Sequence, residues 1–237
     1  MEPQDTMSLE MDELARIASV RASFYSFINF PFVALPDLGF IQQIRNNEFL
    51  ASLEGLAADQ TLHPSLIEGV SLMVEFLRNS SGKEDSELSD ELGVDRTRLY
   101  RGITPSMGPP PPYESVWTRG PKSTSDILLE LATAYRQSSL AIEPGERQDY
   151  IGVELAFQQQ LVMQEIEFWQ TGEEEKAQDS LKQQDAFLKE HLNFWIPAFI
   201  ENALPEAKTD FYRGQLLMLR GFLADEEEYF LAEAEEA

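Results

Sequence analysis

Acidic and aromatic side chains that could bind a peptide lie in two parts of the sequence, around residues 95–117 and around residues 143–150. A carboxylate can hold an arginine by two parallel hydrogen bonds, and an aromatic face attracts the same cation. Such side chains suit the binding of an extended, apolar peptide that carries arginines. The candidate binding residues of these types are Asp95, Tyr113, Glu114, Trp117, Glu143, Asp149 and Tyr150.

A proline-rich loop delivers two of these aromatic residues. Residues 105–123 show neither helical nor strand periodicity, and they include the run Pro109–Pro112. Proline fixes φ and has no N–H, so this run keeps the backbone extended. Loops of this length are usually functional or disordered, and the large side chains of Tyr113 and Trp117 favour order. The alternative role of both aromatic residues is packing in the core.

Cysteine and histidine, which many enzymes use in catalysis, are scarce. The sequence has no cysteine, which excludes disulfides, thiolate catalysis and cysteine-ligated zinc or iron–sulfur sites. It also lacks a phosphate-binding glycine loop, a nucleophile elbow and a zinc-protease motif. Of its two histidines, His63 precedes a proline at a predicted helix start, and His191 has the aromatic neighbours of a structural histidine. We therefore expect a protein that is not an enzyme and that has no metal site.

The chain is strongly acidic. Lys and Arg number 18 and Asp and Glu number 42, which gives a formal net charge of −24. Nucleic-acid binding is therefore not expected, whereas either a cationic partner or a solvated acidic surface explains the charge. The polar N-terminus has no signal-peptide pattern, and no apolar run is long enough to span a membrane. We expect a cytoplasmic protein.

Helical periodicity dominates the sequence and predicts an all-α fold. We expect a single compact bundle of about nine to eleven helices. The first helix should cover residues 8–29 and end before Pro31, and Pro197 should either kink a later helix or divide it into two abutting helices. The other predicted helices cover residues 38–46, 47–58, 64–79 and 123–138, a segment with Leu88 and Leu99, residues 149–171, a segment with Leu181 and Phe199, and a segment with Tyr212 and Leu223.

Several polar residues have a predicted structural role. Ser/Thr-x-x-acid patterns at Ser81, Ser123 and Thr171 predict capping boxes at helix starts. Asp95 lies at a core-facing position of its helix and so needs a partner, for which Arg98 or Arg21 is a candidate. Arg21 itself lies on the apolar stripe of the first helix, which favours an ion-paired or snorkelling arginine over a ligand contact.

The chain is predicted to fold in two helical halves. The N-terminal half covers residues 1–140 and includes the proline-rich loop, and the C-terminal half covers residues 149–237 and ends in an acidic tail. A hinge loop, residues 141–148, joins the halves. Such a loop permits both a compact monomer and a domain-swapped dimer.

Four separate segments of the sequence resemble the TorD/DmsD family of molybdoenzyme maturation chaperones. The resemblance extends over most of residues 88–224, and the order and spacing of the segments make it fairly specific. The matching segments are DRTRLY at Asp95–Tyr100 with PPYESVW at Pro111–Trp117, Glu143-Pro144 followed by Asp149-Tyr150 and IGVELAF, FLKEHLNFWIPAF at Phe187–Phe199, and TDFYRGQLLMLRGFL at Thr209–Leu223.

The resemblance implies a function and a set of site residues. Family members are all-helical, cofactor-free and cytoplasmic. They bind the twin-arginine signal peptide of an apo-molybdoenzyme and delay its export until the molybdopterin cofactor is inserted. The resemblance adds Arg98 and Pro144 to the candidate binding residues, and it places Glu143, Pro144, Asp149 and Tyr150 in the functional element of the hinge loop. The partner it implies is the catalytic subunit of such an enzyme, together with its signal peptide.

The chain departs from the family pattern in the hinge loop. The four residues 145–148 separate Pro144 from Asp149, which is more than the usual spacing, and Tyr150 replaces a histidine. A role that needs a titrating imidazole at this position is therefore not expected, whereas an aromatic hydrogen-bonding wall remains.

A second hypothesis assigns the proline run a different use. In a regulatory helical adaptor, Pro109–Pro112 would itself be the ligand of a proline-reading domain. Exposure of this run would favour the adaptor, and a packed run would favour the wall of a peptide-binding groove.

Overall fold

The structure, a computed structural model, describes residues 3–101, 108–118, 120, 122–138 and 147–236. Every regular element in these residues is a helix, and the extended pairing is limited to one isolated bridge. The predicted all-α fold is confirmed. The helices are α1 (Pro3–Val33), α2 (Leu38–Ile44), α3 (Asn47–Ala58), α4 (Pro64–Asn79), α5 (Asp85–Tyr100), α6 (Glu114–Trp117), α7 (Thr124–Gln137), α8 (Ile151–Thr171), α9 (Glu174–Phe187), α10 (Asn193–Ala203) and α11 (Asp210–Glu236), with a π-helical turn at Leu188–Leu192 and a 3₁₀ turn at Leu204–Glu206.

One of the three predicted capping boxes forms. Ser123 and Asp126 exchange side-chain and backbone hydrogen bonds at the start of α7, as predicted. The predictions at Ser81 and Thr171 are wrong. Helix α5 starts after Glu84 without a side-chain cap, and Thr171 ends α8 because Gly172 adopts a left-handed conformation with φ 74°. A glycine in this conformation typically terminates a helix.

The described residues group into two compact units. The first unit contains the chain up to Asn29 and residues 113–194, and the second contains residues 30–112 and the chain from Trp195 onward. The predicted division of the chain into residues 1–140 and 149–237 stays a prediction. Most of the proposed hinge loop lies outside the described residues, so the hinge stays a prediction.

The first unit is built on α8 and α9, which pack along each other. A polar network is buried between them and α1. Arg21 donates to Glu165 Oε2 at 3.0 Å and to Gln184 Oε1 at 2.7 Å, and Gln184 also donates to Glu165 Oε2 at 3.0 Å. All three side chains are buried. The predicted ion-paired role of Arg21 is therefore confirmed, and its partner is Glu165.

The second unit is built on α4 and α11, whose backbones approach closely at glycines. A Cβ atom on Gly69 would lie 2.4 Å from the carbonyl oxygen of Gly214, and one on Gly214 would lie 2.5 Å from that of Gly69. Gly221 makes a third close approach, because its Cβ would lie 2.4 Å from the nitrogen of Leu66. No side chain fits between the helices at these three positions.

Helix α1 is longer than predicted. It continues through Pro31 to Val33, although we expected it to end at residue 29. Proline lacks the N–H that would bond the preceding turn, and the last carbonyls of any helix need other donors. The buried guanidinium of Arg96 supplies them, because it donates to the carbonyl oxygens of Pro31 at 3.3 Å and Phe32 at 2.5 Å.

We expected a kink or a helix boundary at Pro197. This proline lies inside α10, and the irregular backbone is the π-helical turn at Leu188–Leu192, which comes directly before that helix. Such π turns occur mostly as single insertions in α-helices, frequently at functional sites. Here the turn carries His191.

Candidate functional site

Two loops of the first unit meet at Asp149. The carboxylate of Asp149 is fully buried and accepts hydrogen bonds from Ser115 Oγ at 2.6 Å and from the Ser115 N–H at 3.3 Å. The backbone carbonyl of Asp149 accepts from the N–H of Glu114 at 2.9 Å. The end of the proline-rich loop is thereby fixed to the residues that precede α8.

The guanidinium of Arg147 completes the surroundings of this carboxylate. Its Nε donates to Asp149 Oδ1 at 3.0 Å, and one terminal nitrogen donates to Asp149 Oδ2 at 2.8 Å and to Ser115 Oγ at 3.0 Å. The guanidinium also lies over the ring of Tyr113, with 4.4 Å between its carbon and the ring centroid. We call the Asp149 carboxylate, the Ser115 hydroxyl and the Tyr113 ring the guanidinium-binding site.

An aromatic pair borders the guanidinium-binding site. Tyr113 and Tyr150 form an isolated antiparallel bridge, and their ring centroids are 5.5 Å apart. Both residues are half-buried. The structure thus brings together four of the predicted site residues: Tyr113, Glu114, Asp149 and Tyr150.

A second acid in this region is paired with a histidine. The buried carboxylate of Glu114 lies 2.9 Å from Nδ1 of His191, whose ring packs against Phe187 with 4.7 Å between centroids. The π-helical turn carries this buried histidine. Glu114 therefore has a partner within the chain, the buried imidazole of His191.

A buried tyrosine supports the loop that leads to Asp149. Tyr135 donates from its hydroxyl to the carbonyl oxygen of Gln148 at 2.9 Å, and its ring packs on Phe157. Burial raises the pKa of Tyr135 far above its ordinary value, and the nearby carboxylates of Glu154, Glu114 and Asp149 raise this pKa further. The phenol therefore stays neutral and can act as a hydrogen-bond donor throughout the physiological range.

Asp95 belongs to the second unit and has a structural role. Its carboxylate is 2% exposed and accepts hydrogen bonds from the N–H groups of Lys208 and Thr209 and from Thr209 Oγ1, at 2.8–3.1 Å. These donors precede the start of α11. We expected a partner for Asp95 but named an arginine, which is wrong, because backbone N–H groups and a hydroxyl satisfy the carboxylate.

Arg98 also belongs to the second unit, where it borders an open groove of about 860 Å³. Its guanidinium donates to Glu206 Oε2 at 2.9 Å. Small residues of α5 line the groove, Leu35 and Pro36 lie opposite, and Val94 at its edge is 72% exposed. The assignment of Asp95 and Arg98 to a peptide-binding site stays a prediction.

The other predicted site residues give less information. Trp117 ends the short helix α6 and is half-buried. Glu143 and Pro144 lie outside the described residues. Their assignment to the site stays a prediction.

The structure adds three residues that the sequence did not single out as part of the site. Ser115 and Arg147 bind the Asp149 carboxylate, and His191 pairs with Glu114. Arg147 lies in the four-residue insertion that we noted between Pro144 and Asp149, and this insertion was the only available sign. The contact between Glu114 and His191 joins residues 77 positions apart, which no local pattern reveals.

The proline run packs by one of its faces. A polyproline II helix has three residues per turn, so residues 109 and 112 share a face. Pro109 and Pro112 are buried, whereas Pro110 is exposed. A proline-reading domain needs such a face to be accessible, so this burial disfavours the adaptor hypothesis.

Two further properties bear on the class of protein. In the part of the chain that the structure describes, no three His, Asp or Glu side chains come close enough to hold a metal ion. Among the same residues, no helix has both the length and the apolar character needed to cross a membrane.

The chain is similar to known proteins along most of its length. A family model described as "Nitrate reductase delta subunit" matches residues 60–201. A chaperone protein TorD of Vibrio vulnificus is 25% identical over 229 residues, which cover 93% of this chain and 99% of that protein. TorD of Photobacterium profundum is 27% identical over 201 residues, covering 81% and 86%, and TorD of Aliivibrio fischeri is 27% identical over 218 residues, covering 90% and 95%.

Proposed function

The chain belongs to the nitrate reductase delta subunit family, which includes the TorD/DmsD chaperones, and we propose that it is a cytoplasmic chaperone of one molybdopterin-containing oxidoreductase. The family resemblance predicted from the sequence is confirmed by these matches. The family is one of chaperones without catalytic activity. The proposed client is the apo form of the catalytic subunit, bound through its twin-arginine signal peptide, through the mature domain, or through both. Binding assists cofactor insertion and delays export.

The guanidinium-binding site is the observation that carries this proposal. A twin-arginine peptide needs a carboxylate that can accept two parallel N–H bonds and an aromatic face for the cation. Asp149 and Tyr113 supply both, and the arrangement is already adapted to a guanidinium, as its contacts with Arg147 demonstrate. The half-buried rings of Tyr113 and Tyr150 supply an apolar border for the segment that follows the arginines.

A peptide titration tests this proposal. The probe is a synthetic peptide with two adjacent arginines followed by an apolar segment, and the comparison peptide carries two lysines in their place. Because lysine cannot form the bidentate pair, we expect binding of the arginine peptide to be about tenfold tighter, a difference of about 1.4 kcal/mol.

The Tyr113 ring provides a matched pair of variants. Tyr113→Ala removes the aromatic face and should weaken binding of the arginine peptide, whereas Tyr113→Phe keeps the face and should bind as the wild type does. Equal affinity of the wild type for the two peptides, or equal affinity of Tyr113→Ala and Tyr113→Phe for the arginine peptide, would refute recognition at this site.

A further inference from the structure

The guanidinium-binding site is filled by an arginine of the chain itself. Three N–H···O contacts of 3.0, 2.8 and 3.0 Å hold the Arg147 guanidinium, and the Tyr113 ring covers one of its faces. These contacts engage both carboxylate oxygens of Asp149. A second guanidinium cannot make the same bidentate contacts while Arg147 is in place.

The two partners of this ion pair differ in their exposure. The side chain of Asp149 is 0% exposed, whereas that of Arg147 is 47% exposed. The site is therefore open to solvent on the side from which Arg147 enters. Arg147 can leave into water at small cost, but a buried carboxylate that loses its cation is strongly unfavourable. Departure of Arg147 is thus favourable only when another cation takes its place.

We propose that Arg147 is an internal substitute for an arginine of the client peptide, and that the peptide binds by displacing Arg147 from Asp149, Ser115 and Tyr113. This inference rests on the proposed function, since it assumes that an arginine-bearing peptide is the ligand. It adds that Arg147 competes with the arginine of the client peptide for the guanidinium-binding site. In the free chaperone the site is closed by the chain's own side chain, and only a ligand that supplies an equivalent guanidinium replaces it.

The competition sets the affinity and the selectivity of the site. When a binding-competent state has the fractional population f, the apparent dissociation constant is the intrinsic one divided by f. An internal arginine that fills the site about 90–99% of the time therefore weakens peptide binding about 10- to 100-fold. It also rejects weaker cations, because a lysine makes a point contact and does not reproduce the planar fork of a guanidinium.

This mechanism predicts that one substitution in the site raises the affinity for the peptide. Removing a residue that contacts the site should strengthen peptide binding, provided that the residue is the competitor. Arg147→Gln removes the competing charge, and we expect at least about fivefold tighter binding of the twin-arginine peptide. Arg147→Lys keeps a charge near Asp149 but loses the fork, so it should give a smaller gain of about two- to fivefold. Arg136→Gln, which changes an exposed arginine of α7, is the matched control and should bind as the wild type does.

The same titration distinguishes failure of this inference from failure of the proposed function. If the wild type binds the peptide and both Arg147 variants bind it equally or more weakly, Arg147 is a structural clamp and the displacement is refuted, while the chaperone function stands. If neither the wild type nor any variant binds, the peptide-binding function itself is refuted. Binding by the Arg147 variants alone supports the displacement in its strongest form. Circular dichroism melts verify folding, and Arg147→Lys decides the question if Arg147→Gln does not fold.

Discussion

Ser115 and Asp149, which lie 34 residues apart in the sequence, are joined by a 2.6 Å hydrogen bond from the serine hydroxyl to a carboxylate that is fully buried. This bond fixes the end of the proline-rich loop against the start of α8. The position of the Tyr113 ring beside Asp149 depends on it, because Tyr113 is only two residues from Ser115. Ser115 therefore holds the two loops together, in addition to contacting the guanidinium in the proposed binding site.

Ser115→Ala is expected to destabilise the protein. Hydrogen bonds to charged groups contribute about 1.5–3 kcal/mol, and the variant leaves the buried Asp149 carboxylate with one donor fewer. Urea unfolding measures the change. Ser23→Ala is the control, because the Ser23 hydroxyl is exposed and bonds only the preceding turn of α1, so its loss should be neutral. Equal stability of the two variants would contradict the structural role of Ser115.

Alanine at the glycines between α4 and α11 should also destabilise the protein. A Cβ on Gly69 or Gly214 meets backbone atoms at 2.4–2.5 Å, so the helices must separate. Over-packing of this kind costs about 1–3 kcal/mol in unfolding free energy. Thermal unfolding compares each variant with Gly55→Ala on α3, where a Cβ meets nothing within 4 Å. This control should be stabilised by up to about 1 kcal/mol, because alanine favours helix over glycine. Destabilisation of the control by the same amount would contradict the account.

Arg21 and Glu165 form a buried ion pair. We therefore expect their substitutions to have strongly non-additive effects on the unfolding free energy. Arg21→Met removes the guanidinium that donates to the buried Glu165 carboxylate and should lower the unfolding free energy by about 3–5 kcal/mol. Glu165→Gln alone should also be costly, because it removes the carboxylate charge that pairs with the buried guanidinium of Arg21. In the double variant neither charge remains, so it should be more stable than the sum of the two single changes predicts. Denaturant unfolding of the four proteins measures the coupling, and strictly additive effects would contradict a direct interaction.

The carboxylate of Asp225 gives a prediction about pH. Burial raises the pKa of Asp225 above its ordinary value near 3.8, although the N–H of His63, the first residue before α4, donates to it at 3.2 Å. A raised pKa means that the folded state binds the proton more tightly than the unfolded state does. Stability from this group is therefore present at low pH and is lost as the pH rises through the pKa of the folded state.

Asp225→Asn tests the sign of this effect. The amide carbonyl can still accept the His63 N–H but carries no charge, so the variant should be at least as stable as the wild type at pH 7. The advantage should shrink as the pH falls through the raised pKa of Asp225, where the carboxyl group gains its proton. Unfolding free energies from urea titrations over this range provide the measurement. A variant that is less stable than the wild type at pH 7, with the gap closing in acid, would reverse the sign and reject the burial argument.

The helices could be predicted where a local pattern determines them. The periodic positions Leu66, Val70, Met73 and Leu77 of α4 are all buried, as the 3.6-residue repeat requires. The end of α1 could not be predicted, because the donor that allows the helix to pass Pro31 is Arg96, more than sixty residues away. Local sequence contains no information about such a donor.

The candidate site could likewise be predicted only where residue type and local position determine it, and not where it depends on distant contacts. The residue types of Tyr113, Asp149 and Tyr150 indicated a binding role, and the loops that carry them do meet. The burial of Asp95 could be predicted from the helical register. Its partners could not be predicted, because they are backbone N–H groups of the residues before α11, far away in the sequence. The position of Arg147 depends on the turn before α8, and its pairing with Asp149 two residues later is visible only in three dimensions.

The most direct test of the central claim is recovery of the client. The protein and its Tyr113→Ala variant are immobilised, incubated with native cytoplasm at low and at moderate salt, and the retained proteins are identified by mass spectrometry. The account predicts that the wild type retains one molybdopterin-enzyme catalytic subunit, that salt weakens the retention, and that the twin-arginine peptide elutes the subunit while the twin-lysine peptide does not. Retention that the twin-arginine peptide leaves unchanged, or that is the same for Tyr113→Ala, would contradict recognition of the client at the guanidinium-binding site.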